Sequence, residues 1–255
     1  DTTGTPYVPN NEPLDSAQGV QADGPAGNYY RLIDSIGLNG RQQPRTLYFR
    51  HFLDTPSMDR VVGRFDFRMT PVVYHADGYG FSLLSADYRG EVPLSPGVGP
   101  PDSLVVKVDT FDNGGPDNVE PNSNHISVVF DGDWVTTVTP PFDMSDQEWH
   151  QLEFALDRDP AGAVLDMTIT DGQSTHTLLT DVVLNGFEFD RYYWLHLTSH
   201  TGAARSIHDA DSILVNSSGV INWLPTLDAI SDQAVDEDSG RHAVSLTGIA
   251  AGGGD

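Results

Sequence analysis

The residues best suited to chemistry lie in a polar segment, residues 109–125, between two short apolar runs. The runs, 104–108 and 126–130, are rich in β-branched residues and predict strands, and the Gly, Pro, Asn and Asp residues between them predict the connecting loop. Because side chains alternate along a strand, Lys107, Asp109 and Phe111 leave on one side, with Asn113 next in that series. Such a group of oxygens suits a hard cation such as calcium, which takes about six to eight oxygen ligands. Composition alone describes a solvated acidic loop equally well.

The spacing within this segment resembles the metal-binding loop of the legume-type (L-type) lectins. Residues 109–113 read D-T-F-x-N, and residues 120–126 read E-P-x-x-x-H-I, where the family has an aspartate before the proline. The resemblance implies that Asp109, Asn113 and the backbone carbonyl of Phe111 are calcium ligands. It places Glu120 at the family's aspartate and His125 at a ligand of the family's second, transition-metal site.

One position departs from the family pattern. The family's first glutamate, a ligand of the second metal, is replaced by Lys107, the only lysine in the chain. An ammonium group cannot ligate a cation and repels one. We therefore expect one calcium ion, with the transition-metal site lost or taken over by Lys107. Asp117 is an alternative to Glu120 for completing the calcium site.

A second motif, A-D-G-x-G-F at residues 76–81, resembles the lectins' A-D-G-x-A-F segment. An Asp-Gly pair on its own is a common turn. The resemblance implies that Asp77 accepts hydrogen bonds from sugar hydroxyls. It also implies a cis Ala76–Asp77 peptide bond, which costs about 3–4 kcal/mol outside proline and which bound calcium holds in the family.

The resemblance implies further sugar contacts from three places. They are the ring of Phe111, one glycine amide from the set Gly90, Gly97 and Gly99, and the backbone amides of Gly202, Ala203 and Ala204. The last group follows from residues 198–209, which resemble the lectins' closing strand, variable loop and H-D pair. The Phe111 ring is either a platform for the apolar face of a pyranose or part of the core, and its alternation with Asp109 favours the platform.

Many short apolar segments separated by Gly and Pro turns predict an all-β chain. The predicted strands are residues 29–33, 46–49, 61–69, 104–108, 126–130, 134–138, 149–156, 164–170, 175–179, 192–197 and 212–215. No stretch shows a helical period. The lectin resemblance, which spans about residues 28–218, implies a two-sheet antiparallel jelly-roll sandwich of the concanavalin A-like lectin/glucanase type.

The composition divides the chain into three parts. We expect a leader with little regular structure at residues 1–27 and an L-type lectin-like domain at residues 28–222. Residues 223–255 read as a linker and the truncated start of an Ig/cadherin-like module, resembling the repeats of large bacterial surface proteins.

Charge and composition exclude several classes of partner. The chain has 255 residues, with 37 acidic against 13 basic ones, for a net charge of −24. This charge argues against nucleic acids and anionic membranes. The absence of cysteine excludes disulfides and thiol chemistry, and no apolar run is long enough for membrane insertion.

These observations favour a non-enzymatic, calcium-dependent carbohydrate-binding module of a secreted or cell-surface protein, with glycans as partners. One alternative is a calcium-stiffened structural or adhesive module that binds no glycan. A less favoured alternative is a glycoside hydrolase, which needs two carboxylates flanking the glycosidic bond. On the corresponding strand this chain has one lysine, Lys107, and one carboxylate, Asp109. The sequence does not choose the sugar and leaves a homo-oligomer open.

Overall fold

The structure, a computed structural model, describes residues 19–33, 45–49, 58–86, 99–112, 121–201 and 204–218. Within these ranges the chain forms thirteen strands and no helix. No segment that could cross a membrane as a helix is found among them.

The strands are numbered along the chain. In chain order they are β1 (Gly19–Gly24), β2 (Gly27–Ile33), β3 (Arg45–Phe49), β4 (Arg60–Val73), β5 (Gly78–Ser85), β6 (Leu104–Asp109), β7 (His125–Phe130), β8 (Asp133–Val138), β9 (His150–Asp159), β10 (Gly162–Thr170), β11 (Thr175–Asn185), β12 (Tyr193–His200) and β13 (Arg205–Ser218).

The strands form two antiparallel sheets. The seven-stranded sheet has the order β1-β2-β13-β4-β9-β10-β11, and the six-stranded sheet has the order β3-β12-β5-β6-β7-β8. Alternate residues of each strand point into the space between the sheets, as in Phe65 and Phe67 of β4 and Phe81 of β5, all of which are buried. Phe65 stacks on Phe81 with ring centroids 5.5 Å apart. The predicted two-sheet jelly-roll sandwich is confirmed.

Two neighbouring interior strands of the six-stranded sheet, β6 and β7, are buried on both faces. Every residue of β6 and of β7 is buried. Val106 and Val108 belong to the core cluster between the sheets. Lys107 and Asp109 alternate with these valines and therefore lie on the opposite face of the sheet. This face carries the buried polar groups of the candidate site.

The amino-terminal boundary differs from the prediction. Residues 19–24 lie in the stretch expected to have little regular structure, yet they form β1 and pair with β2. Gly24 pairs with Gly27, so Pro25 and Ala26 form a tight hairpin turn, and positive φ angles at Asp23 and Gly27 permit it. The turn residues from Asp23 to Gly27 belong to this hairpin, and residues 1–18 of the expected leader lie outside the described residues. The module expected from residue 223 onward lies outside the described residues.

Candidate metal and sugar site

Three of the predicted site residues meet at one edge of the six-stranded sheet. Gly78 of β5 pairs with Asp109 of β6, and Asp109 pairs with His125 of β7. Asp77 immediately precedes β5. The register therefore brings both sequence motifs, which are about thirty residues apart, to the same place.

An ion pair occupies the centre of this edge. Lys107 Nζ lies 2.6 Å from Asp109 Oδ2, and the two side chains are 1% and 0% exposed. The ammonium also lies over the Trp134 ring, 5.5 Å from its centroid, where the negative face of the indole attracts it. Burial raises the pKa of the Asp109 carboxyl, and the charge and hydrogen bonds of Lys107 together with the N–H of Phe111 oppose that rise.

His125 faces the same carboxylate from β7. Its Nδ1 donates a hydrogen bond to the carbonyl of Asn122 at 2.6 Å, so Nε2 carries a lone pair. Nε2 is buried, lies 3.9 Å from Asp109 Oδ2, and has no hydrogen-bond partner among the described residues. An unpartnered imidazole nitrogen beside a carboxylate fits a transition-metal ligand, but the Lys107 ammonium does not, because it already neutralises the shared Asp109 oxygen. Among the described residues, the Lys107–Asp109 ion pair disfavours a second metal, and the loss of that site stays a prediction.

The calcium ligands are only partly within the described residues. Asp109 Oδ1 accepts a hydrogen bond from the Phe111 N–H at 2.7 Å, which folds the start of the loop back on the strand end. Asn113, Asp117 and Glu120 lie outside the described ranges, and no group of three or more metal-binding side chains is found inside them. The calcium site, with Asp109 and the Phe111 carbonyl among its ligands, therefore stays a prediction.

The Phe111 ring is half-buried. It is not part of the core cluster between the sheets. The ring is therefore not a core residue, and its role as a platform for a sugar stays a prediction.

The segment around Asp77 is fixed by backbone hydrogen bonds. The carbonyl of Asp77 accepts from the Thr110 N–H at 2.7 Å and from the Thr110 hydroxyl at 3.1 Å, and its N–H donates to the His200 carbonyl at 3.2 Å. The described residues contain no cis peptide bond, so the cis Ala76–Asp77 bond expected from the resemblance is wrong for this structure. The trans bond leaves both backbone groups of Asp77 paired with neighbouring strands.

The Asp77 carboxylate has a partner that the sequence analysis did not assign. His200 Nδ1, at the end of β12, lies 2.5 Å from Asp77 Oδ2, and both side chains are about one-seventh exposed, 14% and 13%. The histidine orients the carboxylate at the rim of the sheet while leaving it accessible to solvent. The sequence did contain a pointer to this residue, because His200 lies in the T-S-H-T-G stretch that resembles the lectins' closing motif. That motif, however, assigns no role to the histidine position.

Gly78 lets the Asp77 segment approach β6. A Cβ at Gly78 would lie 1.8 Å from the backbone carbonyl oxygen of Val108. No side chain fits in that space, so the Asp-Gly pair of the motif has a packing reason in addition to any turn preference.

A buried histidine, His208, is hydrogen-bonded to the segment that contains Asp77. His208 Nε2 donates to the Ala76 carbonyl at 3.1 Å, and its Nδ1 lies 2.5 Å from the Ser199 hydroxyl. Burial lowers the pKa of His208 to about 4, so the ring is neutral at physiological pH. Its neighbour Asp209 is fully buried and accepts hydrogen bonds from Arg31 and Arg68, which makes the H-D pair structural.

The neutral His208 should make the domain acid-sensitive. The unfolded chain binds a proton at this histidine below its ordinary pKa of 6.5, whereas the folded chain does so only near 4. Because the unfolded state binds more protons in this window, stability falls as the pH drops from about 6.5 to about 4, and the loss is about 2 kcal/mol at pH 5. Urea unfolding at pH 7 and at pH 5 measures this loss in the free energy of unfolding. His208→Gln should show a smaller difference between the two pH values, and an unchanged difference would contradict the assignment.

The remaining predicted sugar contacts are less defined. Thr201 Oγ1 donates a hydrogen bond to the Ala204 carbonyl at 2.8 Å. Gly97, Gly202 and Ala203, with Gly90, lie outside the described residues. Gly99 is buried, and a Cβ there would touch the side chains of Val105 and Val129, so this glycine packs on the sheet.

Solved structures with the same fold are lectins and lectin-like proteins. The lectin UEA-II complexed with galactose superposes with a TM-score of 0.59 and 13% identity over 78% of this chain and 90% of that chain. Peanut lectin superposes with a TM-score of 0.54 and 17% identity over 84% of this chain and 97% of that chain. Arcelin-5, a lectin-like defense protein from Phaseolus vulgaris, superposes with a TM-score of 0.58 and 13% identity over 79% of this chain and 91% of that chain. No protein-family model and no curated protein matches the sequence.

At sequence identities this low, the structural similarity to these lectins establishes the fold alone. The chain therefore has the jelly-roll fold of the L-type lectins, as its sequence motifs implied, with the Asp77 and Asp109 motifs side by side at one edge of the six-stranded sheet.

Proposed function

We propose that this domain is a calcium-dependent carbohydrate-binding module of a secreted or cell-surface protein. Asp77 accepts hydrogen bonds from sugar hydroxyls, Asn113 and the backbone amides of the 202–204 loop add further contacts, and the Phe111 ring receives the apolar face of the sugar. The observation that carries the proposal is the position of the Asp77 carboxylate. It is accessible at the rim of the sheet and is tied by backbone hydrogen bonds to Thr110, next to Asp109.

One metal ion suffices for this arrangement. Calcium, held by Asp109, the Phe111 carbonyl, Asn113 and either Glu120 or Asp117, would supply the charge that orders the loop. Lys107 places a fixed positive charge beside Asp109 where the family has its second metal. Ordering the loop in advance lowers the entropic cost of binding a well-hydrated sugar.

The fold likeness supports glycans as the ligand class, since UEA-II was solved with galactose and another lectin from Ulex europaeus with a fucose glycoside. We expect a single-site affinity in the range of about 1 mM to 1 μM. Attachment of several such modules to one protein would raise the avidity.

The deciding experiment is a glycan array run with calcium, with a chelator, and with the variant Asp77→Asn. Asparagine keeps the size of the side chain but replaces one carboxylate oxygen by a donor, so at least one glycan signal should fall by about tenfold or more, as loss of a charged hydrogen bond implies. The chelator should remove the same signal. Asp159→Asn is the matched control, because it makes the same chemical change in an aspartate that is far along the chain from the site and whose carboxylate contacts only the nearby Ala161 N–H among the described hydrogen bonds.

One observation favours a second candidate function, a structural or adhesive module that binds no glycan. The Asp77 carboxylate already lies 2.5 Å from His200 Nδ1, so this contact shields one of its oxygens from a ligand. A calcium-stiffened structural or adhesive module would show no signal for any glycan, with calcium or without, while calcium would still raise the melting temperature. A glycoside hydrolase would instead release sugar in a manner abolished by one carboxylate-to-amide change.

A further inference from the structure

A cleft opens beside the loop that joins β8 to β9, residues 139–149. It has a volume of about 440 Å³, and its walls include His75, Asn124, Phe142 and Asp143 together with Pro140 and Pro141. Sites for small ligands have volumes of about 300–1,000 Å³. The cleft is therefore large enough for one or two sugar rings.

The cleft is separate from the Asp77 site although it lies at the same end of the sandwich. In the order β12-β5-β6-β7-β8, the Asp77 carboxylate turns toward His200 of β12. Asn124, in contrast, directly precedes β7, and the loop with Phe142 follows β8. His75 is the cleft residue nearest to Asp77 in sequence, two residues before it.

The walls of the cleft are held in position by hydrogen bonds. The Asn124 side chain joins them, because its Nδ2 donates to the Phe142 carbonyl at 2.6 Å and its Oδ1 accepts from the Met144 N–H at 3.0 Å. Asp143 Oδ1 accepts from both the N–H and the hydroxyl of Ser145, at 2.9 and 2.7 Å. A ligand would meet a surface that is already ordered, which reduces the entropic cost of binding.

Two polar atoms in the cleft have no partner within the part of the chain that the structure describes. Asp143 uses only Oδ1, which leaves Oδ2 as a free acceptor. His75 uses Nδ1 in a short contact with the Ser145 hydroxyl, which leaves Nε2 free. Burial opposes ionisation of Asp143, but the Ser145 hydrogen bonds and the nearby His75 and His150 outweigh it and lower the Asp143 pKa below its ordinary value. The cleft thus presents an ionised carboxylate and an imidazole nitrogen.

The same cleft offers apolar surface. The Phe142 ring stacks on His150 on one side, with centroids 4.7 Å apart and an interplanar angle of 26°, and this stacking fixes its orientation. The ring and the two prolines form the apolar part of the wall. Pyranose rings combine hydroxyl edges with C–H faces, so a free carboxylate next to an aromatic ring matches their two kinds of surface.

We propose that this cleft is a second saccharide-binding site, in which Asp143 and His75 hydrogen-bond the hydroxyls of one sugar residue and Phe142 contacts its C–H face. The assignment rests on the carbohydrate-binding function proposed above but uses none of its residues. Anionic ligands are disfavoured by Asp143 and by the net charge of −24. Calcium is disfavoured because the cleft offers few of the oxygens that it needs. An apolar ligand would leave the carboxylate desolvated and unpaired.

The test uses the ¹⁵N-labelled full chain carrying Asp77→Asn, so that the first site is silenced. The methyl glycosides of galactose, fucose, mannose, glucose and N-acetylglucosamine are titrated in turn, and amide shifts are followed by NMR. We expect at least one glycoside to give saturable shifts at the Asn124 side-chain amide and at residues 142–145, with a dissociation constant of about 1 mM. Adding His75→Ala or Asp143→Asn should weaken this binding by about fivefold or more. Asp159→Asn should leave it unchanged.

The outcomes separate the two proposals. Shifts at residues 142–145 that persist while the wild-type chain shows no Asp77-dependent binding would support the cleft and refute the first site. Asp77-dependent glycan binding without saturable shifts in the cleft would overturn the cleft alone. Shifts that survive both His75→Ala and Asp143→Asn, or that calcium alone reproduces, would also overturn it. Asn at position 143 keeps the acceptor for Ser145, so loss of binding in that variant with unchanged remote amide shifts is not a loss of fold.

Discussion

Replacing Lys107 with methionine should lower the free energy of unfolding by about 3–5 kcal/mol, the cost of leaving one member of a buried ion pair without its partner. Methionine has a similar length and no charge, so the variant removes the ammonium with little change in packing. The Asp109 carboxylate, which is 0% exposed and 2.6 Å from Nζ, then loses its counter-ion. Urea unfolding at pH 7 measures the change, and the melting temperature should fall by about 2–4 °C for each kcal/mol.

Arg60→Met is the matched control for this variant. Arg60 pairs with Asp157 at 2.5 Å, but the two side chains are 47% and 42% exposed. Exposed pairs of this kind contribute about 0–1 kcal/mol, because water solvates both charges well. A loss for Lys107→Met no larger than that of Arg60→Met would show that the buried pair does not hold the edge of the sheet together.

Substituting alanine for Gly78 should destabilise the domain by about 3 kcal/mol, at the upper end of the usual cost of overpacking. The new Cβ would lie 1.8 Å from the Val108 carbonyl oxygen, a backbone atom in the paired strand that cannot rotate away. β5 must therefore move off β6 at its first residue, which breaks the hydrogen bonds between Asp77 and Thr110. We expect lower stability in thermal unfolding together with weaker glycan binding.

Gly80→Ala tests whether this cost belongs to the position or to any glycine of the strand. Gly80 lies two residues further along β5 and faces the same way as Gly78, yet the nearest atom to its added Cβ is 3.8 Å away, at Val105. This variant should change stability by less than about 1 kcal/mol, since an ordinary contact adds no strain. Equal losses in the two variants would refute a specific role for Gly78 at the site.

The all-β class was predictable because the strands alternate regularly, whereas the jelly-roll arrangement was predicted from the resemblance of the motifs. From His150 to Leu156 in β9, and throughout β10, every second residue is buried, and a two-residue period of this kind marks a half-buried strand from the sequence alone. The first hairpin escaped prediction for a local reason. The sequence around Asp23 to Gly27 consists of residues that favour turns, and β1 itself has few β-branched residues to indicate a strand.

The site was only partly predictable. The spacing around Asp109 located the edge of the sheet, and the single lysine predicted the departure at the second metal. His200 could not be assigned in advance, because its contact with Asp77 joins residues more than one hundred positions apart and depends on the β5–β12 pairing. The cleft at Phe142 was missed because its walls are joined by side-chain hydrogen bonds that no strand period encodes.

The burial of Lys107 has a practical consequence for labelling the protein. Because the chain's only lysine is 1% exposed and ion-paired, reagents that acylate primary amines find no lysine side chain on the folded surface. Acylation of Lys107 would require the groups that cover it on the outer face of the six-stranded sheet, such as Trp134, to move away. The acylation rate under native conditions therefore reports how often this part of the protein opens.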